Sequence, residues 1–128
     1  MKPSIQERME RQIALATTYN TLFDLMVTTT ETSLEATATN PADNQYNIDT
    51  TDLNINVVCN DNQYNTITIY LYNPASQEGG QLGVLQININ GDMDESLHNI
   101  PRAIRRKVND YIDDIYDALD SWIDNLNE

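Results

Sequence analysis

The chain has 128 residues, one cysteine, and 7 Lys+Arg against 20 Asp+Glu, a formal net charge of −13; it is the size of one ordinary domain, able to bury a core without disulfide staples. No Lys or Arg occurs between Gln12 and Pro101, an interval that holds 11 acids, so duplex DNA and anionic membranes, both gripped through Lys and Arg, are excluded as direct ligands. No stretch approaches the ~18 apolar residues of a membrane span, and residues 1–12 are too charged for a signal peptide, so a soluble cytoplasmic protein with a single domain over 1–128 is expected.

Ser4-Ile5-Gln6-Glu7 fits a capping box, in which the Ser hydroxyl and the Glu carboxylate satisfy backbone N–H groups at a helix start. Ile5, Met9, Ile13, Ala16, Tyr19, Phe23 and Met26 or Val27 then recur at steps of three and four, giving one apolar face for about seven turns. Thr28 to Thr39 is rich in Thr, which is stiff at χ1 and weak in helices. The helix therefore ends near Val27 or runs on toward Asn40-Pro41, and the sequence leaves both open.

Asn40 to Thr51 reads as a loop, with Tyr46 to Asp49 a candidate short edge strand. Asp43-Asn44-Gln45-Tyr46-Asn47 recurs as Asp61-Asn62-Gln63-Tyr64-Asn65, and both copies read as lead-ins to strands. Leu53, Ile55, Val57 and Cys59 alternate as in a half-buried strand, and Cys59 reads as a buried small hydrophobe. Ile67, Ile69 and Leu71 alternate in a second strand, with Thr66, Thr68, Tyr70 and Tyr72 on its other face. Leu82 to Asn90 makes a third, whose phase shifts at Val84-Leu85 beside Gly83 and so predicts a bulge. Pro101 suits a first helical turn, after which Ile104, Val108, Tyr111, Ile112, Ile115, Leu119, Trp122 and Leu126 form a continuous apolar stripe. The expected fold is α+β: an N-terminal helix, a three-stranded antiparallel meander and a long C-terminal helix, with both helices on one face of the sheet.

On that last helix Asp110, Asp113, Asp114, Asp117, Asp120 and Asp124 fall within an arc of about 120° opposite the stripe. They span about 21 Å of axis, roughly one charge every 4 Å, against about one per 3.4 Å along a DNA strand. Asp110 with Asp114, Asp113 with Asp117, and Asp120 with Asp124 are like-charge pairs that each cost about 0.2–0.5 kcal/mol. Asp is also a poor helix former, and the acids at the C-terminal end oppose the macrodipole. A pattern that works against local stability points to a functional constraint, and a face that only solubilises or adapts the chain to salt stands beside that reading.

The chain has no glycine-rich phosphate loop, Cys/His metal spacing or nucleophile elbow, so neither an enzyme nor a cofactor is expected. The one histidine, His98, reads as a surface residue before a helix. Asp92-Met93-Asp94-Glu95 lacks the spaced oxygen ligands of a calcium loop. Tyr70 and Tyr72, with no cations around them, fit a protein interface better than a base-stacking surface.

The helix–three-strand–helix order is similar to that of double-stranded RNA-binding domains, but those meet phosphate with basic residues where this chain has acids. Small size, this order and an acidic surface together resemble the DNA-mimicking inhibitors that phages carry, including anti-CRISPR and anti-restriction proteins. The resemblance is one of architecture and charge over most of the chain, without a shared motif. It implies a partner, the basic nucleic-acid-binding surface of a nuclease or effector, in the host cytoplasm if the chain is phage-encoded. The partner-binding residues would be Asp110, Asp113, Asp114, Asp117, Asp120 and Asp124, with Asp92, Asp94 and Glu95. The chain also resembles the small, acidic, usually dimeric chaperones of type III secretion. The stripe through Trp122 would then serve a homodimer, and a structural or assembly role stays open beside both.

Overall fold

In the computed structural model, which describes residues 4–59, 66–75 and 80–126 apart from the side chain of Gln12, the capping box closes the first helix, α1 (Ile5–Leu34). Glu7 N–H donates to Ser4 Oγ at 3.1 Å, and Ser4 N–H donates to the Glu7 carboxylate at 3.3 Å. The threonine run does not stop the helix. Thr28 and Thr30 turn their hydroxyls back onto the carbonyls of Asp24 and Met26, at 3.0 and 2.8 Å, a bond that lets Thr sit in a helix interior. The helix ends one turn later, where Glu35 takes a left-handed conformation (φ 54°, ψ 45°) and its N–H bonds to the carbonyl of Glu31. The Glu31 carboxylate then accepts from Ala38 N–H at 2.8 Å and turns the chain into the sheet.

The sheet corrects the expected layout of three strands with both helices on one face: six strands lie side by side in chain order, all antiparallel. They are β1 (Thr39–Ala42), β2 (Gln45–Asp49), β3 (Asn54–Cys59), β4 (Thr66–Tyr72), β5 (Gln81–Asn88) and β6 (Met93–Leu97). The additional strands were hidden by their polarity. β1 contains Pro41 and is exposed along its length, and β6 is two-fifths acid, as sheet edges that must resist further pairing often are. β2 is no edge, because Ile48 sits opposite Ile55 and β1 takes its other side. The turn into β6 is made by Asn90-Gly91: the Asn88 side chain accepts from the N–H groups of Asn90 and Asp92, and Gly91 has φ 88°. A Cβ on Gly91 would lie 2.5 Å from Ile123 Cγ1, so glycine sets how closely this turn meets the last helix. The bulge expected beside Gly83 falls at Leu82, between the pairs Leu71–Gly83 and Tyr72–Gln81. The second copy of the repeated pentapeptide lies outside the described residues.

After Pro101 a single 3-10 turn (Arg102–Ile104) leads into α2 (Arg105–Leu126). One core joins Tyr19, Leu22, Phe23 and Met26 of α1 and Val108, Tyr111, Ile115 and Leu119 of α2 with the inward residues of the strands, among them Ile48, Ile55, Val57, Ile67, Ile69, Leu85 and Ile87. Each fully buried aliphatic side chain contributes about 1.5–3 kcal/mol. Trp122 is part of this core and donates its indole N–H to the carbonyl of Ile89 at 3.2 Å.

Thirty helical residues run about 45 Å, whereas six strands span about 24 Å across and the longest strand about 27 Å along. α1 therefore overhangs the sheet. From Tyr19 on, its apolar face is buried; before that, Ile5, Met9 and Ile13 are 73, 57 and 64% exposed. At the other end of the chain Leu126, expected on the buried stripe, is also exposed.

Candidate functional site

The phase of α2 is fixed by its stripe. With Val108, Tyr111, Ile112, Ile115, Leu119 and Trp122 buried, Asp110, Asp113, Asp114, Asp117, Asp120 and Asp124 all face outward and are exposed. They are not equivalent. Asp110 lies 4.0 Å from Arg106 Nε, and Asp114 accepts a hydrogen bond from Ser33 Oγ of α1 at 2.6 Å. The side chains of Asp113, Asp117, Asp120 and Asp124 form no hydrogen bond or ion pair among the described residues. These four carboxylates are free to accept from Lys or Arg groups supplied from outside.

One of the three acids expected beside the helix joins it. Glu95 lies on β6 opposite the buried Leu85, on the helix side of the sheet and next to Tyr116 of α2, whose hydroxyl is pushed above the ordinary tyrosine range by burial first and then by negative charge, chiefly that of Glu95. Tyr116 follows Asp113 and precedes Asp117 and Asp120 on the helix, so an aromatic ring, 39% exposed, stands where the helical acids meet Glu95. Asp92 and Asp94 take a different place. Asp92 sits in the turn before β6, where its carbonyl accepts from Asn88 N–H at 3.1 Å. Asp94 pairs with Gln86 on the face of the sheet away from α2, and the two acids line a recess of about 140 Å³ there with Thr66, Gln86 and Asn88.

Tyr116 is not among the site residues expected from the sequence, because it lies off the apolar stripe. That displacement was the available signal: an aromatic residue amid carboxylates on an outward face has no core to serve, and tyrosine is enriched where interfaces concentrate their binding energy.

The basic cluster divides as well. Lys107 donates to the Asp52 carboxylate and to Thr50 Oγ1, tying the β2–β3 turn to α2. The Lys107 hydrogen bond holds the Asp52 carboxyl below its ordinary range, against an opposing effect of burial. Arg102, Arg105 and Arg106 are exposed. Ser33, Ala103, Arg106, Lys107, Asp110, Asp113 and Asp114 line an open groove of about 770 Å³, so cations and carboxylates share its walls.

Asp92, Asp94 and Glu95 lie along a turn and on the alternating faces of a strand, and no group of three or more His, Cys, Asp or Glu is placed to hold a metal ion among the described residues. His98 is exposed and precedes the 3-10 turn, and Cys59 is buried in the sheet. With Trp122 buried in the chain's own core, the stripe through it does not present a dimer surface. No helix of the described residues is long and apolar enough to cross a membrane. Against known proteins, the chain matches no family model, no curated protein and no solved structure.

Proposed function

We propose that this protein binds the basic nucleic-acid-binding surface of another protein and competes with nucleic acid for it, acting as an acidic, DNA-mimic-type inhibitor rather than as a catalyst. The observation that carries the reading is the row Asp113, Asp117, Asp120 and Asp124. Its carboxylates are exposed and unpaired among the described residues, and they are held on a helix whose opposite face is locked into the core. Preorganised charge of this kind spares an interface the cost of ordering long side chains. Tyr116 supplies an apolar contact at the junction of the row with Glu95, and the neighbouring Arg102, Arg105 and Arg106 call for an acidic rim on the partner. The chaperone reading needs an open apolar stripe on α2, and that stripe is buried.

The test replaces Asp113, Asp117, Asp120 and Asp124 by Asn and measures binding to candidate basic nucleases, with duplex DNA as competitor. Four exposed ion pairs at about 0.5–1 kcal/mol each predict a loss of affinity on the order of a hundredfold. Wild-type binding should also weaken steeply as salt is raised. Unchanged affinity in the variant would remove α2 as the site, and failure of the wild type to compete with DNA would remove mimicry.

A further inference from the structure

Among the described residues the overhang of α1 is the one place where large apolar side chains stand uncovered in a row, and three properties say what covers it. The first is charge. Residues 5–18 carry Glu7, Arg8, Glu10 and Arg11 and sum to zero, whereas residues 19–128 carry 4 Lys+Arg and 18 Asp+Glu and sum to −14. Contact between two copies through most of the body sets acid against acid; through the overhang it does not. The second is sequence symmetry. Ile5-Gln6-Glu7-Arg8-Met9-Glu10-Arg11-Gln12-Ile13 reads the same from either end in apolar and polar class about Met9, as a surface that meets itself across a two-fold axis requires. The third is room. The stripe beyond Tyr19 is occupied by the chain's own core, so a second helix running parallel along it would collide with the body. An antiparallel helix of equal overhang, about 21 Å, ends before reaching it.

We propose that residues 5–13 pair antiparallel with the same segment of a second copy of this chain. Ile5 of each copy then shares a layer with Ile13 of the other, and the two Met9 side chains form the central layer, the arrangement of an antiparallel two-helix seam. The dimer leaves both α2 acidic faces free, since it uses only the overhangs.

Sedimentation equilibrium on the full chain tests this. The expected mass is twice 14.6 kDa, with a Kd that tightens as salt rises, because screening relieves repulsion between the two anionic bodies. Met9→Glu places two carboxylates in the central layer and weakens the dimer on the order of a hundredfold, while circular dichroism stays unchanged because Met9 is exposed in the single chain. Oxidation of Met9→Cys gives a disulfide-linked dimer, Ile5→Cys alone gives none, and Ile5→Cys mixed with Ile13→Cys restores the cross-link. A wild-type chain that stays monomeric at every concentration leaves the stripe to a different protein and overturns the proposal. So does a Met9→Glu chain that remains dimeric, and self-linking of Ile5→Cys overturns the antiparallel register.

Discussion

Thr30 is a fully buried polar residue, and its hydroxyl makes two bonds. It donates to the Met26 carbonyl at 2.8 Å and lies 2.8 Å from the Tyr111 hydroxyl; having one proton, already committed, it must accept from Tyr111. Burial also pushes the Tyr111 hydroxyl well above its ordinary range, which keeps it a proton donor. Tyr111→Phe should therefore cost about 0.5–1.5 kcal/mol, since Thr30 keeps its own acceptor, whereas Thr30→Val strands a buried phenol and should cost about 1–3 kcal/mol. Urea denaturation of the two variants measures both, and the reverse order would refute the direction of the bond. At this scale the sequence shows the phase of Tyr111 but not its partner, because nothing in local spacing says that α1 and α2 meet there. Tyr116 is the complementary case. Its outward phase is readable, but Glu95 beside it comes from β6, a strand that its own composition conceals.

The two ends of α1 show why some boundaries can be read and others cannot. Its start is written in side chains, a Ser and a Glu three apart that bond to each other's backbone. Its end is written in backbone alone, since Glu35 adopts the left-handed conformation that normally calls for Gly, and no residue type announces the stop. Glu35→Gly should remove that conformational cost, and with it an acid at the negative end of the helix dipole, raising stability by about 1 kcal/mol. A midpoint in urea that falls or stays in place would count against strain at this cap. The strands divide in the same way. β3, β4 and β5 alternate because one side of each meets the core, and that alternation was visible. β1 and β6 are edges built from polar residues, so period-two reasoning had little to act on, although the Asn90-Gly91 turn marked where β6 begins.

Net charge is a property of the whole molecule that the sequence states outright, yet its consequence depends on placement. Most of it lies on surfaces where it repels itself, with Lys107–Asp52 and Arg106–Asp110 the ion pairs among the described residues. Whether an apolar stripe is covered is likewise a matter of whole-molecule dimensions: periodicity orients α1, but only the width of the sheet decides that its first turns project beyond it. Self-repulsion makes a prediction that separates a face shaped for binding from one shaped for stability. Raising salt from ~10 to ~150 mM shortens the screening length from about 30 to about 8 Å, so the wild type should gain thermal stability, the opposing loss at Lys107–Asp52 being a single pair. Replacing Asp113, Asp117, Asp120 and Asp124 by Asn removes the like-charge pairs Asp113–Asp117 and Asp120–Asp124 together with their i,i+3 neighbours. That variant should start about 0.5–1.5 kcal/mol more stable at low salt and respond less to added salt. A gain in stability that accompanies the loss of binding would mean that the carboxylate row is kept at the expense of the fold, as functional sites often are. A variant less stable than the wild type at low salt would instead assign the row a structural part and weaken the case for a partner.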